Sequence, residues 1–233
     1  MLFCCSEIFK QQILNQTMIQ EDTQSKIDFF TDRIKNNIGE LYPYYEHNFI
    51  YFCELRSLIW ENINCLLFGL YQASIFTTNH LLERMLKHAL FNFHTQGYYI
   101  GNPEFDKKVD ESKRLYDDKK LFETIKLACE KGIITQKESD DLNKWRKEVR
   151  NPYSHAESSK IIQNHPPLKG MLFDLNQVVE AKTRGIPMPM QHVEVPSFAI
   201  APYIQSEIAA TIAQDYFKRV FEIMVAIDER LKS

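Results

Sequence analysis

Glycine is scarce, with seven in 233 residues, and that argues against a sandwich or barrel of short strands joined by many tight turns. Cysteine is scarce too. The five present (Cys4, Cys5, Cys53, Cys65 and Cys129) form an odd set without a single CxxC pair, so neither a disulfide framework nor a zinc site is expected, and the thiols fit a reducing compartment. No long apolar run exists. The most apolar window, CLLFGLYQASIF at 65–76, falls well short of the roughly 20 residues that span a bilayer. The N-terminus MLFCCSEIFK has neither a basic region nor a continuing apolar stretch, so no signal peptide is expected and the reading is a soluble, cytoplasmic chain without membrane contact. Nor is there a surplus of either charge: 28 Lys plus Arg stand against 31 Asp plus Glu, a net charge of −3. A polyanion would have to be met by a local site. Internal repeats and low-complexity tracts are also missing.

What the chain does have is apolar residues at 44%, enough for a real core, recurring at intervals of three and four. That period predicts an all-α fold. The expected organisation is one domain over 1–233: an N-terminal helical region (1–64), a helical core (65–160), a proline-rich insertion or loop (161–205) and a C-terminal core helix (206–233). In SIFTTNHLLERMLKHALFNFH the spacing places Ile75, Leu82, Met85, Leu86, Ala89 and Phe93 on one stripe, ending near Gly97. After a turn around GNPE, KLFETIKLACEKG reads as an amphipathic helix stopped by Gly132. Thr135 and Glu138 then have capping-box spacing at the start of QKESDDLNKWRKEV. The last helix lines up Ile208, Ile212, Tyr216, Val220, Met224, Ile227 and Leu231. Two stretches escape the pattern, His165-Pro166-Pro167 and GIPMPMQHVEVP; the second reads as an extended loop or small hairpin.

The chemistry concentrates at EVRNPYSHAE, 148–157. In an unbroken helix Arg150 and His155 would lie about 140° apart. Pro152 lacks an N–H and disfavours helical angles at Asn151; together with the N-cap preference of Asn and the N1 preference of Pro, this predicts a break at Asn151-Pro152 that brings guanidinium and imidazole together. The letters also fit an ordinary helix end, with Arg150 complementing the dipole and His155 a packed or surface histidine.

Arg150, Asn151 and His155 resemble the R-N-x-x-x-H signature of the HEPN superfamily, the all-helical domains of many prokaryotic toxins and antiviral ribonucleases. The apolar helix carrying Leu82-Glu83, and the approach LFETIKLACEKGIIT followed by KESDDLNKWRKEVRNPYSH, are similar to the family's context; the resemblance covers 65–160 and, more loosely, the final helix. It implies a metal-independent endoribonuclease needing no cofactor, acting on RNA as a homodimer with a composite site, and held in check by a neutralising antitoxin or regulatory protein. The residue types suit that chemistry. Attack of a 2′-OH on its own phosphodiester requires proton transfers near neutral pH, the province of histidine, and stabilisation of charge on phosphate oxygens, for which the arginine fork is well shaped. The implied products are 2′,3′-cyclic phosphate and 5′-hydroxyl ends. HEPN-like domains also serve as non-catalytic nucleotide- or protein-binding scaffolds, which is the alternative function.

Further residues are candidates for holding substrate. Glu83 matches the family position where a carboxylate orients the arginine. Residues 107–150 hold 13 basic and 10 acidic side chains, and Arg146 and Lys147 lie just before the motif beside Trp145, a ring able to stack on an unpaired base or to pack. Tyr153 has the same two options. His88 and His94 lack the spacing of a helical metal pair, so no metal is expected.

Overall fold

The computed structural model describes residues 4–162, 168–172, 183–185, 191–195 and 197–232. The chain is mostly helical. The long α1 (Cys4–Glu46) leads through a 3-10 turn (Cys53–Leu55) into α2 (Arg56–Leu67), followed by α3 (Tyr71–Thr95), α4 (Pro103–Tyr116), α5 (Leu121–Glu130) and α6 (Gln136–Trp145). A π-helical turn (Arg146–Arg150) connects α6 to α7 (Asn151–Ser154), and α8 (Ser158–Ile161) comes next. The chain closes with α9 (Ala201–Lys232). Among the described residues no helix is long and apolar enough to cross a membrane.

The core forms where α3 lies along α9. From α3, Ile75, Leu82, Met85, Leu86 and Ala89 are fully buried, as the spacing predicts, but Phe93 is 38% exposed because the stripe has rotated to the surface by the last turn. From α9, Tyr216, Val220, Met224, Ile227 and Leu231 are buried, while Ile208 and Ile212 are half-buried nearer its start. The end of α1 belongs to the same core. Leu41 is 1% exposed, and the Tyr44 ring meets Phe217 and Phe221 edge-on at 5.5 and 4.9 Å.

Local chemistry explains the helix ends. Gly132 has φ +72, the left-handed conformation that costs glycine nothing, and Ile133 N–H donates back to Ala128 O at 2.9 Å, closing α5. The capping box is present: Thr135 Oγ1 accepts from Glu138 N–H at 3.2 Å and Glu138 Oε2 accepts from Thr135 N–H at 2.7 Å. Helix α4, not anticipated from the sequence, begins inside the expected GNPE turn, where Asn102 Oδ1 accepts from Glu104 N–H at 2.9 Å and Pro103 takes the first helical position.

Two expectations are corrected. The region between 161 and 205 contributes a two-stranded antiparallel ribbon, β1 (Leu168–Leu172) with β2 (Gln191–Val195), in register Leu168↔Val195 and Leu172↔Gln191; the mostly helical fold therefore carries one small sheet, in which part of GIPMPMQHVEVP pairs with the residues that follow His165-Pro166-Pro167. His165-Pro166-Pro167 and 186–190 lie outside the described residues. The helix also does not break at Pro152. Asn151 keeps helical angles (φ −65, ψ −50), and its N–H donates five residues back to Arg146 O. The wider π turn offers that acceptor and relieves the crowding that a proline ring creates against the preceding turn. Burial of Val149, Pro152 and Tyr153 holds the continuous helix in place.

Candidate functional site

Because the helix runs on, Arg150 and Ser154 fall one turn apart on the face towards α3, and there they meet two residues that are also one turn apart, Glu83 and Asn79. Arg150 Nε donates to Glu83 Oε1 at 3.1 Å, and Arg150 Nη2 donates to the same oxygen. Asn79 Nδ2 donates to Ser154 Oγ at 3.1 Å. Four residues on two helices thus form a ladder that fixes the motif segment against α3.

The floor of the ladder is Tyr216 of α9, fully buried, whose hydroxyl donates to Asn79 Oδ1 at 3.0 Å. Burial pushes that hydroxyl's pKa up, opposed by the Arg150 charge and reinforced by Glu83, so the ring feels both members of the ion pair. Trp145 stacks on Tyr216 with centroids 5.0 Å apart and planes 25° apart.

The next face of the helix carries Asn151 and His155, again four residues apart. Asn151 Oδ1 accepts from Arg150 Nη1 at 3.2 Å, tying this face to the ion pair. A guanidinium has five N–H donors; these contacts use three, one on each nitrogen, which leaves one N–H on Nη1 and one on Nη2 for an incoming oxygen. His155 is exposed, and its ring has no hydrogen bond or ion pair among the described residues. It is the last residue before the stop: Ala156 has φ +50, left-handed for a residue with a Cβ, and Glu157 N–H donates to Pro152 O at 2.8 Å. The segment is then pinned to α9 by Gln205, whose Nε2 donates to Ser158 Oγ at 2.8 Å and whose carbonyl accepts from the Tyr153 hydroxyl at 3.1 Å.

No protein-family model, curated protein or solved structure matches this chain.

The expected site residues separate into two groups. Glu83, Arg150 and Asn151 are joined by hydrogen bonds, whereas His155 is exposed on the adjoining face and its ring makes no hydrogen bond or ion pair with them; the break at Pro152 expected to bring its imidazole to the Arg150 guanidinium does not form. Tyr153 and Trp145 take the packing option of the two that the sequence left open, and neither ring is offered to a base: Tyr153 is 5% exposed, burial raises its hydroxyl pKa to about 12, and Trp145 packs against the core. Both rings are consumed by packing because their helical positions face α9. Arg146 donates to Asn143 Oδ1 at 3.2 Å and lies over the Phe122 ring, 5.9 Å from its centroid, so it turns towards α5. Lys147 is exposed. Sequence reasoning missed Asn79 and Tyr216. A polar residue one turn before Glu83, inside an apolar helix, was the available signal for Asn79; Tyr216 reads only as core. Among the described residues no group of His, Cys, Asp or Glu is placed to hold a metal ion.

Proposed function

We propose that this chain is a HEPN-type endoribonuclease, a helical bundle that cleaves single-stranded RNA without a metal ion or other cofactor. What carries the reading is the Glu83–Arg150–Asn151 arrangement: a guanidinium held by a carboxylate and an amide, with N–H groups to spare, and a solvent-open imidazole on the adjoining helical face. In the proposed step the 2′-oxygen attacks the neighbouring phosphorus as its proton passes to a base. The P–O5′ bond breaks, the 5′-oxygen receives a proton, and a 2′,3′-cyclic phosphate remains. Arg150 stabilises the charge that builds on the non-bridging oxygens, and the loss of such a preorganised donor costs about 3–4 kcal/mol in the transition state. Asn151 keeps that fork oriented.

A single imidazole cannot be base and acid in one step, so the acting species is a homodimer in which His155 of each copy supplies one role. Specific activity should accordingly fall on dilution below the dimer dissociation constant. Unrestrained RNA cleavage harms its host, and this fits a toxin or antiviral effector restrained by a partner protein or a trigger.

The experiment is incubation of labelled single-stranded RNA with wild type and His155→Ala in the presence of EDTA. Wild type alone should cut, with both proteins equally folded and binding RNA alike. Activity in neither overturns the enzyme reading in favour of a binding module, and equal activity in both removes His155 from the chemistry.

A further inference from the structure

Glu83, which holds Arg150 on one side, also lines a cleft of about 570 Å³ between α3 and α4. The α3 wall is a stripe at helical spacing, His80, Arg84, Lys87 and His88 with Glu83 among them, and the α4 wall contributes Lys113 and Asp117. Leu55, Phe91, Val109 and Tyr116 supply its apolar lining. The cleft therefore begins at the ion pair of the candidate site and runs away from it along α3.

The cations of this cleft are not all committed. Lys87 Nζ donates to the Asp117 carbonyl, tying the two walls together at the end of α4. Arg84 and Lys113, one on each wall, are both exposed and have no carboxylate partner among the described residues; Arg84 makes only a hydrogen bond from Nε to His80 Nε2 at 3.0 Å. Nearby lysines behave differently. Lys107 and Lys108 are paired with Glu104 and Glu111, and Lys126 with Glu130. Of the two carboxylates lining the cleft, Glu83 is already neutralised by Arg150. Arg84, Lys87 and Lys113 thus outnumber the one carboxylate of the cleft left unpaired among the described residues, Asp117, in a cleft that also has apolar lining, the combination that takes backbone phosphates together with an unpaired base.

We infer that the α3–α4 cleft holds the stretch of an RNA strand next to the scissile phosphate, with Arg84 and Lys113 gripping its backbone phosphates. The inference rests on the reading of Arg150 and His155 as an RNA-cleaving site, and the test separates the two. The probe is a fluorescent 2′-O-methyl RNA oligonucleotide, which lacks the attacking hydroxyl; its binding to the full chain is followed by anisotropy over a range of salt.

The double variant Arg84→Glu/Lys113→Glu should bind about tenfold or more weakly near 0.1 M salt, and the slope of log affinity against log salt should flatten by roughly 1.4, two single-strand phosphate contacts. The neutral pair Arg84→Gln/Lys113→Gln should fall between, which guards against a folding artefact of charge reversal. Unchanged affinity and slope in both variants, or no binding by wild type, overturns the cleft assignment; so does a mononucleotide that competes as tightly as the strand. Weakened binding in the cleft variants with no RNA cleavage by wild type keeps the cleft and removes the ribonuclease. Cleavage lost in His155→Ala, with cleft variants that bind normally, does the reverse.

Discussion

Cutting the Arg150–Glu83 pair tests whether the ladder positions the arginine. The two side chains are 22% and 34% exposed, neither buried nor free, and Glu83 Oε1 accepts two charge-assisted bonds. Such bonds are worth about 1.5–3 kcal/mol when shielded, but water at this pair screens them towards the low values of surface ion pairs. Glu83→Ala should therefore destabilise by about 1–2 kcal/mol, and at roughly 2–4 °C per kcal/mol for a chain of this size the melting temperature drops by about 2–8 °C. The cost to cleavage should be larger. An arginine released from its carboxylate loses its orientation towards phosphate, and misplacement on the ångström scale costs about 10² in rate. The assay is a thermal double-mutant cycle over wild type, Glu83→Ala, Arg150→Ala and the double variant, with cleavage rates measured on the same four proteins. Coupling of about 1–2 kcal/mol is expected. Additivity within about 0.5 kcal/mol, the behaviour of independent sites, would refute the pairing and its positioning role.

Three further outcomes follow from the fold. Burial raises the Tyr153 pKa from 10.0 to about 12, so above pH 10 the folded chain keeps a proton that the unfolded chain gives up. Its contribution of about 2–3 kcal/mol is complete below pH 10 and is lost as pH rises towards 12; chemical denaturation should show a shallower alkaline fall in Tyr153→Phe, and parallel curves would contradict the assignment. Asp228, 1% exposed, accepts from Ile50 and Tyr51 N–H at 3.1 and 2.7 Å and pairs with Lys232; Asp228→Ala should cost about 2–4 kcal/mol by stranding those donors, and an unchanged melting temperature would refute that. Ala156→Gly should stabilise by about 0.5–1 kcal/mol by removing left-handed strain at φ +50, where a loss of stability would refute the strain.

Much of the fold was legible because helices declare themselves by spacing and by their ends. Tyr216 to Leu231, the Thr135–Glu138 box and Gly132 all depend on residues within a turn or two of one another. Helix α4 was not anticipated, although Phe105, Val109, Ser112 and Tyr116 share one inward stripe; its many charged residues left only three apolar positions to carry that period. The ribbon required β1 and β2 to find each other across the intervening chain, a tertiary choice that alternation within either strand does not specify. At the motif, proline's local rules predicted a break, yet burial of Val149, Pro152 and Tyr153 overrode them and the π turn absorbed the conflict. The pairing of Glu83 with Arg150 was anticipated through a resemblance. Its physical basis, two helices meeting with residues four apart on each, emerges only from packing.

The most direct test of the central claim is the chemistry of the cut ends. Wild-type protein in EDTA should cleave single-stranded RNA to leave 2′,3′-cyclic phosphate and 5′-hydroxyl ends, and one 2′-O-methyl group placed at a mapped cleavage site should abolish cutting at that site alone. Cleavage that persists through the 2′-O-methyl nucleotide, or that leaves 5′-phosphate ends, would contradict attack by the neighbouring hydroxyl and the roles given to Arg150 and His155.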